Sequence, residues 1–123
     1  MNRLGRHKCA PLHLASENGH VKVMELLLNA GASVNIRVGK ASSTRYRQTP
    51  LHFACQKPKA IQILLAHRAF VDPRDRHKST PLILAARKGN GEVVKYLLDA
   101  GASTSTASDS GETALHAAAK CGS

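Results

Sequence analysis

Thr49-Pro50-Leu51-His52 returns along the chain in degraded copies: Ala10-Pro11-Leu12-His13, Thr80-Pro81-Leu82-Ile83 and Thr113-Ala114-Leu115-His116. The second position of the phrase falls at 11, 50, 81 and 114, so the steps are 39, 31 and 33 residues. A period near 33 marks a stacked array rather than one globular core. A single unit of that size cannot bury its apolar face alone. Function must therefore sit on the extended surface that stacking creates.

Each unit reads as two short antiparallel helices and a polar connection. Thr80-Pro81 can open a helix, because Thr accepts from orphan N–H groups and Pro in the first turn has no donor to waste. Val23-Met24 and Leu27-Leu28 lie on one helical stripe, and Gly31 and Gly101 follow such stripes, where a helix end favours a left-handed residue. No stretch shows the sustained apolar alternation of a core strand. The chain is expected to be all-α, apart from hairpin-like fingers between units.

The same residues resemble ankyrin repeats over nearly the whole chain. Leu12-His13-Leu14-Ala15 leads to Gly19-His20, Val23-Met24, Leu27-Leu28 and Gly31-Ala32. Leu82-Ile83-Leu84-Ala85-Ala86 leads to Gly89-Asn90, Val93-Val94, Leu97-Leu98 and Gly101-Ala102. Between them, Leu51-His52-Phe53-Ala54 leads to Ile61, Leu64-Leu65 and Ala69. The resemblance implies a single solenoid domain over residues 1–123, with units at about 8–37, 48–73 and 78–106, a partial unit at 111–123, and an inserted loop at about 38–48. It also implies a protein-interaction module without catalysis, metal or cofactor, and a structural role for His13, His52 and His116 in bonding finger backbone. Ile83 takes that place in the third unit. Asn35, after Val34, resembles the finger asparagine that an asparaginyl hydroxylase modifies in some ankyrin repeats; the alternative is a local turn bond.

Departures from the period make further expectations. The 39-residue step carries six extra residues, rich in Gly, Ser, Thr, Arg and Lys, in the finger Arg37 to Gln48. It should be a surface loop. The 31-residue step lacks two residues around Gln56-Lys57-Pro58-Lys59, so Pro58 should start the second helix after a tighter turn. Arg68 sits where other units have Gly31 and Gly101, and must take a left-handed conformation or remodel the turn. The second unit should be the least regular. Both ends look cut, since the fourth copy stops after one helix and no polar capping unit is visible, so the expectation is either a fragment of a longer chain or a marginal array of about three and a half units.

No apolar run approaches the roughly 20 residues that span a membrane, and no stretch reads as a signal peptide. Cys9, Cys55 and Cys121 are odd in number, far apart and without metal-ligand spacing. Cys55 reads as a buried free thiol, which implies a reducing compartment, cytosol or nucleus. His13, His52 and His116 are not a metal cluster, because stacked helices place equivalent residues on the order of 10 Å apart. Asp72, Asp75 and Asp109 are finger residues without the spacing of a catalytic pair.

The net charge of +10 is uneven. Residues 1–48 and 49–98 each carry +6, and residues 99–123 carry −2. Many cations fall in fingers: Arg3, Arg6 and Lys8; Arg37, Lys40, Arg45 and Arg47; Arg74, Arg76 and Lys78. Fingers of a stack align on one edge, so these residues form either a positive ridge for a partner or a merely solubilising coat. Candidate partner-binding residues are Ser16, Glu17, Asn18, Gln56, Lys57, Arg87 and Lys88 on the inner helices. On the fingers they are Arg37, Lys40, Arg45, Tyr46, Arg47, Arg74, Arg76, His77 and Lys78. An acidic protein segment is the favoured partner. Nucleic acid ranks second, because only Tyr46 and Phe53 could stack on bases; an anionic membrane surface ranks third. The domain is expected to be a monomer. Arg45, Arg47, Arg74 and Arg76 are expected to be solvated finger positions, so that reversing their charge should weaken partner binding and leave folding little changed.

Overall fold

The computed structural model describes residues 9–121, with the side chain of Cys121 left aside. The candidate ridge residues Arg3, Arg6 and Lys8 and the Cys121 thiol lie outside the described part. Seven helices follow in order: α1 Pro11–Asn18, α2 Val21–Asn29, α3 Pro50–Phe53, α4 Pro58–Ala66, α5 Pro81–Arg87, α6 Gly91–Asp99 and α7 Ala114–Cys121. The described residues contain no strand. Each hairpin packs on itself (α1 on α2, α3 on α4, α5 on α6), and like packs on like along the stack. The inner row is α1, α3, α5 and α7; the outer row is α2, α4 and α6.

The recurring phrase explains the inner row. Pro11, Pro50 and Pro81 each open a helix where a missing N–H costs nothing. The leucine that follows, Leu12, Leu51 or Leu82, is 1% exposed and points into the stack. Burying each such side chain stabilises by about 2 kcal/mol. Ala15, Ala54 and Ala85 recur one turn on, small enough for adjacent helices to approach closely, and all are buried. The outer row contributes Met24, Ile61, Leu64, Val93 and Leu97, all fully buried. Val23, by contrast, is 45% exposed, while its counterparts Ala60 and Val93 are covered. At the other end Leu115 is 77% exposed. The first and last units have a described neighbour on one side only.

The histidines bind the units. Backbone N–H groups of Ala10 and Thr49 donate to Nδ1 of His13 (2.9 Å) and His52 (3.0 Å). An accepting Nδ1 leaves the proton on Nε2. Nε2 of His13 then donates to the carbonyls of Ile36 (2.9 Å) and Gln48 (3.0 Å), and Nε2 of His52 to Ser79 (2.8 Å). Each ring thus ties its helix to the fingers on either side of its unit. Ile83 instead fills this place with a buried aliphatic chain.

The second unit is the irregular one. Its inner helix α3 has 4 residues against 8 in α1 and 7 in α5. Pro58 is the first residue of α4. Arg68 has φ 67°, the left-handed conformation that Gly31 (99°) and Gly101 (93°) supply without a Cβ. The inserted finger is pinned shut at its base by Val38 N–H to Gln48 O and Arg47 N–H to Val38 O, both 3.0 Å. Val38 seals against Cys9 and Phe53 in a small satellite core.

Successive fingers also bond to one another. Arg76 N–H donates to Tyr46 O (3.1 Å), and Asp109 N–H to His77 O (2.8 Å). An arginine staple repeats along the same edge. Arg37 Nη1 donates to Arg47 O of its own finger (2.9 Å) and to Arg74 O of the next (2.8 Å). Arg74, the equivalent residue, donates to Lys78 O (3.3 Å) and then to Ala107 O (2.7 Å). Arg76 reaches Ala41 O and Ser43 O of the inserted loop. Arg74 and Arg76 are exposed as expected, but their guanidinium groups, like that of the half-buried Arg37, also satisfy finger carbonyls.

Candidate functional site

The inner helices and the inserted finger enclose a concave groove of about 720 Å³. It is lined by six of the residues singled out from the sequence, Glu17, Arg45, Gln56, Lys57, Arg87 and Lys88, together with Gln48, His52, Phe53, Cys55 and Leu84. A second hollow of about 570 Å³ adjoins it under the inserted finger, where Lys40 joins Ser42, Ser43 and Thr44. Glu17, Arg45 and Phe53 line both. The groove runs across three units, so it exists only in the stack.

Its electrostatics divide in two. Arg45 pairs with Glu17 of α1, lies 3.6 Å above the Phe53 ring centre and donates to Gln48 Oε1 (3.3 Å). Arg87 pairs with Glu112 (2.7 Å), which also faces Lys120 (3.8 Å). Lys57 and Lys88 are exposed, and neither has an acidic partner among the described residues. The groove therefore presents two free ammonium groups between two arginines that are already neutralised. Burial pushes the Cys55 and Cys9 thiols up, so both stay protonated and poorly nucleophilic. Burial holds His52 down to about 4, and His13 is lowered for the same reason. Both rings are neutral near pH 7 and engaged with backbone, which leaves neither a lone pair for a metal nor a proton to exchange with a ligand.

The remaining candidates are scattered. Ser16 is 0% exposed and offers no surface, so its assignment as a partner-binding residue is corrected: it faces the stack, not the groove. Asn18 is exposed, but its amide donates to Leu14 O of its own helix. Tyr46 is half-buried, Arg47 and His77 are exposed on the finger edge, and Lys78 lies 3.9 Å from Asp109. Arg37, Arg74 and Arg76 share that edge, tied to carbonyls as described. Asn35 accepts from Phe70 N–H of the next unit (2.8 Å), as Asp72 accepts from Ser103 N–H (3.1 Å). Its bond is a link between units rather than within its own turn. Sequence reasoning missed Gln48, Leu84 and Glu112. Nothing in the order of residues says that Glu112 reaches back to Arg87. Phe53, considered there for base stacking, is only 4% exposed and lies under Arg45.

Family models for ankyrin repeats match residues 7–38, 38–108 and 72–123. Among curated proteins, the human Ankyrin repeat and SOCS box protein 11 is 35% identical over 115 residues, which is 92% of this chain and 33% of that protein. The mouse Neurogenic locus notch homolog protein 1 is 35% identical over 121 residues, 96% of this chain and 4% of that protein. The human Transient receptor potential cation channel subfamily A member 1 is 34% identical over 119 residues, 93% of this chain and 10% of that protein. The chain thus spans about a third or less of the length of these relatives. No helix among the described residues is long and apolar enough to cross a membrane. Ankyrin repeats are generally protein–protein interaction modules and typically non-catalytic. Matched along its length, and built of stacked helix pairs whose histidines bond the fingers, the chain belongs to the ankyrin repeat family.

Proposed function

We propose that this chain is a non-catalytic binding module whose concave groove takes an acidic segment of a partner protein. One observation carries the reading: Lys57 and Lys88, from adjacent units, line a single groove and lack acidic partners among the described residues. Carboxylates of an extended segment would neutralise them and fix the segment along the groove. The exposed amide of Gln56 supplies a neutral hydrogen-bonding group beside them. A single-stranded nucleic acid would need aromatic faces for its bases. Phe53 has its face covered by Arg45 and Tyr46 is half-buried, which favours protein over a single strand. The buried, free thiols Cys9 and Cys55 suit work in a reducing compartment, cytosol or nucleus.

The test is a located charge reversal. A fluorescein-labelled oligoglutamate peptide is titrated with the protein by fluorescence anisotropy. Lys57→Glu with Lys88→Glu should weaken binding about tenfold or more, the equivalent of roughly 1.4 kcal/mol. Lys22→Glu with Lys95→Glu makes the same charge change on exposed positions of α2 and α6 and should do much less. Equal losses in both pairs would mean bulk attraction, and an oligonucleotide or anionic vesicles would then be the better ligand. No loss in either pair would sink the groove.

A further inference from the structure

Arg45 is held in the groove by three contacts of unequal permanence. Phe53 beneath it is 4% exposed and Gln48 beside it is 8% exposed, so both are fixed by packing. The third contact, the Glu17 carboxylate, has a side chain 41% exposed to solvent and can swing away at little cost. The other paired arginine of the groove differs. Glu112, the partner of Arg87, has a side chain only 10% exposed and also faces Lys120. Arg45 and Glu17 further stand where the groove and the adjoining hollow meet.

We propose that Glu17 is a built-in competitor: its carboxylate occupies an anion subsite on Arg45 that a carboxylate of the bound segment takes over, Glu17 moving out to solvent. This rests on the acidic-segment reading of the groove. Phe53 and Gln48 keep the guanidinium in place after Glu17 leaves, so the subsite is formed before the ligand arrives. Displacement joins the two hollows into one continuous track from Lys40 to Lys88. The inserted finger, absent from the other units, thereby sets how strongly acidic segments are taken up. Glu17 lies in the groove yet opposes binding, the reverse of what a contact residue does.

The experiment is a double-mutant cycle with the same oligoglutamate probe. Glu17→Gln should tighten binding about two- to fivefold, the range set by a partly exposed ion pair. Arg45→Gln should weaken it. In the Arg45→Gln background, Glu17→Gln should have no further effect, because the contested subsite is gone. If Glu17→Gln tightens binding equally in both backgrounds, Glu17 acts through bulk charge and the competitor is refuted. If Glu17→Gln weakens binding, Glu17 is an ordinary contact and the proposal is likewise refuted. Circular dichroism verifies folding, and Arg45→Met, which keeps an aliphatic stem over Phe53 but removes the charge, replaces Arg45→Gln if that variant unfolds. The Lys57 and Lys88 reversals separate the two claims. With those effective and the cycle flat, the groove stands and the competitor falls; with those silent, both fall.

Discussion

Replacing His52 by Gln tests whether neutral histidines hold the stack. His52 is 1% exposed, accepts from Thr49 N–H and donates to Ser79 O. Burial brings its pKa from 6.5 to about 4. The sign follows from which state binds the proton. Between pH 6.5 and about 4 the unfolded chain takes up a proton that the folded chain refuses, so stability falls as pH falls through that window. The contribution is full above pH 6.5. At about 1.4 kcal/mol per pKa unit, this single ring accounts for about 3 kcal/mol of acid destabilisation. His13, lowered for the same reason, adds loss of the same sign. Urea unfolding followed by circular dichroism between about pH 7 and pH 4 measures the slope. The Gln variant should be about 2 kcal/mol less stable near neutrality, through poorer hydrogen bonding to Thr49 and Ser79. It should also lose most of the His52 share of the slope. An unchanged slope in the variant, or wild-type stability that is flat across the window, would refute the reasoning.

Two further predictions concern the backbone of the stack. Arg37→Met should cost about 1–2 kcal/mol, because one guanidinium bridges carbonyls of two fingers, and Arg74→Met a similar amount; Arg47→Met, whose side chain makes no bond to the described residues, should cost little. Thermal melts compare the three, and equal shifts would show that the staples carry no stability. Arg68→Gly should raise stability by about 0.5–1 kcal/mol, because φ is 67° there and glycine meets no Cβ penalty. A lower melting temperature for that variant would mean that the Arg68 side chain makes a stabilising contact that outweighs its backbone strain.

Much of this was legible in the residues. A repeat of about 33 residues fixes which helices exist and which pack together, because each unit touches only its neighbours and local signals are nearly sufficient. Pro11, Pro50 and Pro81 mark the helix starts, and the missing pair near Pro58 marks the short α3. The lack of a glycine at 68 marks the strained turn. The fate of the charges was not legible. Arg37 and Arg74 look like solvated cations in a polar loop, yet their carbonyl partners lie 37 and 33 residues away, one unit further along. Glu17 and Arg45 are 28 residues apart and meet only because the inserted finger folds back over α1 and α3. Ser16 and Glu17 are neighbours in the chain, but one turns into the stack and the other into the groove. Composition gives the number of guanidinium groups. Whether each one meets water, a carbonyl or a carboxylate depends on the stacking that brings separate units within hydrogen-bonding distance. The sequence by itself therefore determined the array, and the tertiary structure decided which of its cations remain available to bind.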